Sequence, residues 1–411
     1  MYNKVEFGNA MNVNITRIKN IGYVDFKLCF KAGLAFEQQN EYGITHLMEH
    51  MLFRKVGTLN YDELQNLYAK MGSEVFGKAG YDFLEFSFSV LSDNIQNALN
   101  YIKELFILPN WTKDDLEKEK KIIIHEINLK GNRFSKQVNY VYDNELLKKS
   151  VMGSISSVKS ISLKKLCSYY NDVITPENAM LFVAGDISTE KSNSLLESLS
   201  LIDNKNILIS HNQKSLLPQS ICSRKNNYLL VYDYYDYSDL IVSFDIGSSD
   251  QYVARFINFY LSGYTSPLSQ SIVDDKSLTY ELETNLDEWN NFSILSFEIF
   301  CNYNRLAETI IELAVSLRSA IDKFNRKLYD EICSYIILEN TKNNNNPHSV
   351  NELRFKEMYY GIDNKIPTYD EVIDSMNNIF VKKNLSIFST YSCKKSIVDA
   401  AINIFLSHFE N

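Results

Sequence analysis

Two similar α+β halves are what this 411-residue sequence predicts, and three observations lead there. An alternating strand, a set of helices and a second strand fill roughly the first 200 residues. The same order of elements returns after about Asn227. Phe86 and Phe297 fall at equivalent places in the two series, 211 positions apart. The division that follows is a first half over 1–209, a polar linker over 210–226 and a second half over 227–411. That agrees with the length, since domains of roughly 150 residues would make this chain two or so.

In the first half Val24, Phe26, Leu28 and Phe30 alternate with Asp25, Lys27, Cys29 and Lys31, the period of a half-buried strand. A helix follows over Gly43 to Phe53. Asn60 with Glu63 caps another, whose stripe is Leu64, Leu67, Tyr68 and Met71 and whose stop is Gly72. A strand from Phe83 to Leu91 and a helix through Ala98, Ile102 and Leu105 come next. Thr112 with Asp115 then caps a helix starting at Lys113, and a strand from Ala179 to Ala184 closes the half. The second half reads as a strand at Leu240 to Ile246, a helix at Tyr252 to Ser262 and a strand from Phe292 to Phe300. Helices at Arg305 to Phe324 and Lys327 to Glu339 follow, and Asn343 to Asn346 before Pro347 read as a surface loop between helices.

Composition narrows the function classes. With 45% hydrophobic and 23% charged residues the chain is an ordinary globular protein, and 14 glycines and 6 prolines leave little room for flexible or proline-rich linkers. The formal charge of −9 argues against a nucleic-acid or anionic-membrane surface, both of which want a basic face. It mildly favours neutral or basic peptides. No stretch of about 18 apolar residues is present and the first residues lack a signal-peptide core, so the expected location is the cytoplasm, without a membrane anchor. The six cysteines are scattered, as suits a reducing compartment, and have no zinc-ligand spacing.

The chemistry concentrates in Gly43-Ile44-Thr45-His46-Leu47-Met48-Glu49-His50-Met51-Leu52-Phe53. On a helix, residues four apart share a face, so His46 and His50 present their imidazoles together with Glu49 beside both. Two neutral nitrogens and a carboxylate within a water's reach are what a catalytic zinc site needs. The pattern His-x-x-Glu-His inverts the commoner zinc-peptidase helix motif. Taken alone, the pentapeptide also fits two polar residues at the edge of a core helix.

A second helix supplies the context. Leu116, Ile123 and Ile127 form its apolar stripe, and Glu119 and Glu126, seven residues apart, lie along one edge of that stripe. A cation would account for two acids on a partly buried edge, because an unpaired buried carboxylate is costly. Pairing with Lys118, Lys120 or Lys121 on a solvated face is the other account. His125 points away from Glu126 by about 100° on such a helix and reads as structural.

With Glu126 standing 76 positions after His50, the sequence resembles the inverzincin peptidases of the pitrilysin, insulin-degrading enzyme and mitochondrial processing peptidase type. There a His-x-x-Glu-His helix is completed by a distant glutamate in a Glu-x-x-x-x-x-x-Glu helix. The flanking Glu-His-Met-Leu-Phe and Gly57-Thr58 share the likeness. The resemblance covers nearly the whole chain and implies a duplicated processing-peptidase-like fold, each half an antiparallel-rich sheet covered by helices, in a small two-half bacterial subunit. It further implies one zinc ion per chain held by His46, His50 and Glu126, with Glu49 as general base and Glu119 orienting the site. The second half has no histidine where the metal helix should be, so catalysis belongs to the first. A purely structural zinc is disfavoured, since such sites close with four protein ligands and three are found here.

Two positions depart from the family's habit. Where it has an Asn-Ala pair on the strand that receives the substrate as an added strand, this chain has Phe76-Gly77. Its Arg-Tyr pair, which holds the substrate carbonyl, corresponds to Val273 and Tyr280 in the stretch Ser266 to Tyr280. Tyr280 fits the tyrosine, but Val273 neither donates a hydrogen bond nor carries charge. The expectation is a zinc metalloendopeptidase subunit for short or unfolded peptides, such as precursor or leader peptides. It would work as a heterodimer with a homologous chain carrying the Arg-Tyr pair. A homodimer in which Lys276 substitutes is the alternative, as is a non-catalytic subunit for assembly or peptide capture.

Overall fold

The alternation around Phe26 becomes the central strand of a six-stranded sheet. The structure, a computed structural model, describes residues 2–6, 11–130, 149–202, 227–263, 266–288, 292–362 and 365–410. The linker expected over 210–226 lies outside the described residues. Two units emerge, the first from the described residues up to Ile202 together with Lys342–Phe355, the second from Asn227 to Thr341 and from Lys356 onward.

The first unit contributes strands β1 (Tyr2–Glu6), β2 (Asn12–Arg17), β3 (Tyr23–Lys31), β4 (Phe76–Ala79), β5 (Phe83–Leu91) and β6 (Ala179–Gly185). They lie in the order β1-β2-β6-β3-β5-β4, antiparallel except for the β2–β6 pair. Its helices are α1 (Ile44–Arg54), α2 (Tyr61–Met71), α3 (Ile95–Leu105), α4 (Lys113–Lys130), α5 (Ile155–Ser160), α6 (Leu163–Val173) and α7 (Thr189–Ser200). Local signals decide their ends. Asn60 and Glu63 make both bonds of a capping box, and Gly72 stops α2 in the left-handed region at φ 68°. Thr112 and Asp115 reciprocate at the start of α4. Val24, Phe26, Leu28 and Phe30 enter one core with the helices' apolar stripes, each large side chain contributing about 1.5–3 kcal/mol by its burial.

The second unit repeats the plan with β7 (Tyr228–Tyr232), β8 (Tyr237–Gly247), β9 (Thr279–Glu288), β10 (Phe292–Asn302) and β11 (Leu385–Tyr391) in the order β7-β11-β8-β10-β9. Its one parallel pair, β7–β11, occupies the place of β2–β6. Phe86 of β5 and Phe297 of β10 are both fully buried, one opposite Leu28 and the other opposite Val242 on the neighbouring strand. The helices in chain order are α8 (Gln251–Leu261), α9 (Leu306–Lys323), α10 (Arg326–Asn343), α11 (Pro347–Phe355), α12 (Tyr369–Ile379) and α13 (Lys395–Ser407). α11 and the last two residues of α10 belong to the first unit, and the rest to the second.

That exception alters two sequence readings. A boundary at 210–226 puts everything from 227 in the second half, yet α11 packs on β3 and β6 of the first unit. The polar face of β3, read as solvent-facing, is buried beneath it: Asp25 is 2% exposed and Lys27 1%. Asn351 Nδ2 donates to the Asp25 carbonyl at 3.0 Å and carboxylate at 2.7 Å, and Lys27 Nζ binds Glu85 at 2.5 Å and Glu352 at 2.6 Å. Burial pushes the Asp25 carboxyl above its usual value against the hydrogen bonds from Ser89 and Asn351. The expected loop at Asn343 to Asn346 is a short turn between α10 and α11.

Candidate metal centre

α1 is held at both ends before any metal is considered. Gly43, at φ 93°, precedes its first turn, and a Cβ there would meet the Met152 carbonyl oxygen at 2.5 Å, so no other residue fits. The buried Glu37 carboxylate accepts the N–H groups of Gly43 at 2.7 Å and Thr45 at 2.9 Å, serving as the cap that α1 lacks locally. Burial pushes this carboxyl up to about 7, against those same hydrogen bonds. Thr45 Oγ1 also bonds Tyr169 Oη at 2.7 Å and accepts the Gly33 N–H at 3.1 Å. At the other end Trp111 Nε1 donates to the carbonyls of Met51 and Lys55 at 3.2 and 3.3 Å, and Lys55 Nζ pairs with Asp115 at 2.7 Å.

This anchoring brings five of the sequence-predicted residues together. The ligating atoms of His46, His50 and Glu126 lie within 4.8 Å of one another. Glu126 Oε2 stands 3.6 Å from His46 Nε2 and 3.6 Å from His50 Nε2, and the two rings are 4.7 Å apart, edge to face. Zinc bonds of 2.0–2.2 Å at a tetrahedral angle set two ligands roughly 3.4 Å apart. The donor set and its spacing therefore fit zinc.

The other nitrogen of His50, Nδ1, faces Glu119 Oε2 at 3.2 Å, leaving Nε2 directed to Glu126. Glu119 Oε1 in turn takes Arg54 Nε at 2.7 Å and a second guanidinium nitrogen at 2.5 Å. Burial, which would lower the His50 pKa, is outweighed by the hydrogen bond to Glu119 and by the charges of Glu49, Glu119 and Glu126, so the net shift is upward. Burial would raise the Glu119 carboxyl, yet His50 and Arg54 hold it below its ordinary value. Glu119 is thus a fixed anion behind His50, and such partners orient a histidine and set its tautomer. Two of the three lysines weighed as alternative partners are engaged elsewhere on α4, Lys118 with Asp114 at 2.7 Å and Lys120 with Glu117 at 3.2 Å. His125 is exposed.

Glu49 sits on the same helix, at the edge strand β4. A Cβ added to Gly77 would lie 2.7 Å from Glu49 Oε1 and 2.5 Å from the Phe53 ring. Gly77 therefore lets α1 approach the strand, which gives the Phe76-Gly77 departure a packing reason. Sequence reasoning missed Arg54 and Glu37. Arg54 could have been found as the next member of the series His46, His50, Arg54 at four-residue steps. Glu37 has no local periodic signal.

The remaining predicted residue lies in the second unit. Tyr280 is the second residue of β9 and 92% exposed. Val273, in a wide helical turn over Gln270–Asp275, packs partly buried against the second unit's core. Lys276 is ion-paired to Glu312, which also accepts from Ser271 and Ser316. The Glu312 carboxyl lies below its ordinary value, since these bonds outweigh its burial.

Comparison with known proteins agrees with this architecture. The family model described as Insulinase (Peptidase family M16) matches residues 17–152, and that described as Peptidase M16 inactive domain matches residues 160–334. A protein of Bacillus subtilis named "Uncharacterized zinc protease YmxG" is 21% identical over 391 residues, 91% of this chain and 92% of that protein. An "Uncharacterized zinc protease" of Rickettsia felis is 26% identical over 204 residues, and there the match spans only half of the relative's length. The crystal structure of a protease from Helicobacter pylori superposes with a TM-score of 0.83 at 16% identity, covering 95% of this chain and 99% of that one. With both domain models matched in order and the paired sheets of the fold in place, the chain belongs to the insulinase family of peptidases, Peptidase family M16.

Proposed function

We propose that this chain is a zinc metalloendopeptidase subunit that hydrolyses short or unfolded peptides, precursor or leader peptides among them, in the cytoplasm. The observation that carries the reading is the meeting of His46 and His50 of α1 with Glu126 of α4 within 4.8 Å, where α1 also presents Glu49. Zinc bound there would supply a Lewis acid that polarises a carbonyl and lowers the pKa of water. Glu49 takes the proton of the attacking water and passes one to the leaving amine. Glu119 keeps the His50 ring aligned, and Arg54 keeps Glu119 aligned. The peptide lies as an added strand along the outer edge of β4, the last strand of the sheet among the described residues, using main-chain groups.

The working form is a heterodimer with a homologous chain that carries an Arg-Tyr pair. Val273 offers no charge for a developing oxyanion, and the Lys276 ammonium is spent on Glu312, which weighs against its replacing arginine in a homodimer. A missing preorganised donor typically costs ~10²- to 10³-fold in rate. Tyr280, exposed on β9, is the candidate that remains for the tyrosine role. The test is mass analysis of products from a peptide library. The purified chain is assayed alone and mixed with a similar-sized chain bearing the Arg-Tyr pair and no zinc motif, with and without a chelator. Chelator-sensitive cleavage in the mixture alone supports the reading, and full activity of the single chain refutes the divided labour. Peptide binding without cleavage under either condition would favour a capture subunit.

A further inference from the structure

The edge strand beside Glu49 carries a side chain that the metal chemistry does not use. β4 pairs with β5 in the register Phe76 opposite Ser87, Gly77 opposite Phe86, Lys78 opposite Glu85 and Ala79 opposite Leu84. Side chains alternate along a strand, so Gly77 and Ala79 share the core face with Phe86 and Leu84. That face is the one covered by α1, as the approach of Glu49 and Phe53 to Gly77 requires. Phe76 and Lys78 therefore stand on the opposite face, with Ser87 and Glu85.

On that face the one carboxylate of β5 is already paired. Glu85 holds Lys27 at 2.5 Å, and the Lys78 ammonium lies 5.5 Å from the centre of the Phe83 ring. Phe76 is left 66% exposed at the end of the sheet, with no strand beyond it among the described residues. Edges are usually guarded by charge or proline. A bare phenylalanine there is the opposite arrangement, and it sits one residue from the glycine that touches Glu49.

We propose that Phe76 is a specificity-determining residue, which packs against a large apolar side chain of the bound peptide one or two residues from the scissile bond. The inference rests on the added-strand reading given above and deepens it. A peptide strand hydrogen-bonded to the β4 edge presents alternate side chains to the two faces. The residue at the level of Gly77 lies by Glu49, and the residue at the level of Phe76 points to the other face. Directly opposite side chains are about 4.5–5.5 Å apart between Cβ atoms, within reach of aromatic and branched partners. With Glu85 paired to Lys27 and Phe76 the exposed ring at that level, the neighbourhood favours an apolar occupant over a cationic one.

The experiment uses the full chain in two forms. The zinc-loaded Glu49→Gln variant reports binding, by fluorescence anisotropy, of labelled unstructured ten-residue peptides in which one position at a time is alanine, phenylalanine, leucine or lysine. The unmutated chain, alone and in the mixture described above, reports cleavage of the same peptides by mass analysis. The expected result is one peptide position at which phenylalanine or leucine binds about three- to tenfold tighter than alanine, the range of aromatic and cross-strand pairs. Phe76→Asn should reduce that ratio to near one, and Phe76→Leu should restore most of it. The same ratio in Phe76→Asn, a preference for lysine, or no measurable binding would overturn the proposal. So would Phe76→Asn acting only on self-association of the chain, which would make the edge a contact between copies. Absence of cleavage together with a Phe76-dependent preference would instead remove the peptidase reading and leave Phe76 as the residue that selects an apolar side chain of a captured peptide. Cleavage without the preference does the reverse.

Discussion

The two units run the same strand order to different ends, and the difference lies in one helix and one edge strand. In the first, the helix after the central strand is α1, with His46, Glu49 and His50, and Gly77 on edge strand β4 admits Glu49 closely. In the second, the helix after the central strand is α8, Gln-Tyr-Val-Ala-Arg-Phe-Ile-Asn-Phe-Tyr-Leu, with no histidine. Its Arg255 pairs with Glu288 on edge strand β9 at 2.7 Å, and Lys356 adds a second contact to Glu288 at 2.6 Å. Burial would raise the Glu288 carboxyl, yet these two cations hold it below its ordinary value. The junction between helix and edge strand thus carries two histidines and a glutamate beside a glycine in one unit and a closed ion pair in the other. Sheet order is a property of the fold, and chemistry is grafted onto it at this junction.

The largest expected effect tests whether the reactive junction belongs to the first unit alone. Glu49→Gln should retain zinc by native mass spectrometry and lower peptide hydrolysis by ~10²- to 10⁴-fold, since only the proton acceptor is lost. Activity within a few-fold of the unmutated chain would break the comparison. Next come the groups around the candidate metal site. Glu126→Gln should lower zinc occupancy, and Arg54→Ala, which frees Glu119, should cost ~10- to 100-fold in metal affinity or rate. Metal titration separates the two contributions, and full zinc content in Glu126→Gln would mean the third ligand lies elsewhere.

In the second unit Arg255→Ala should leave zinc content untouched and lower stability in a denaturant melt by about 1–3 kcal/mol. Glu288 is buried, but Lys356 still partners it. A change in zinc content instead would mean the two junctions are not independent. The smallest effect is a pH dependence at the base of α1. Burial would raise the Asp115 carboxyl, but hydrogen bonds from Lys55 and Thr112 hold it at about 2, below its ordinary value of 3.8. A depressed folded pKa gives stability that is present above about 3.8 and lost as pH falls through about 2. Hydrogen exchange between those limits should therefore show α1 amides opening earlier as the pH falls, and Asp115→Asn should flatten that trend without altering α8.

Much of this was legible along the chain because the deciding interactions are local. Capping at Asn60 and Thr112, the stop at Gly72 and the alternation of β3 are settled between residues a few positions apart, and so is the shared face of His46 and His50. A helix rotates about 100° per residue whatever surrounds it, so the motif's geometry follows from its spacing. Other features needed the folded chain. Arg54 and Glu119 meet across 65 positions, so the four-residue series places Arg54 on the right face without naming its partner, and Glu37 caps α1 from a separate turn with no periodic trace. β3 illustrates the limit most plainly. Alternation correctly marked two faces, and the polar one was read as wet. Only the return of α11, more than 320 residues later, buries Asp25 and Lys27 and supplies the amide and carboxylate that make their burial tolerable. Sequence alone determined which groups could meet on one element and which family they serve. The tertiary structure decided which polar groups leave water, because desolvation depends on what packs against a surface and not on the residues that compose it.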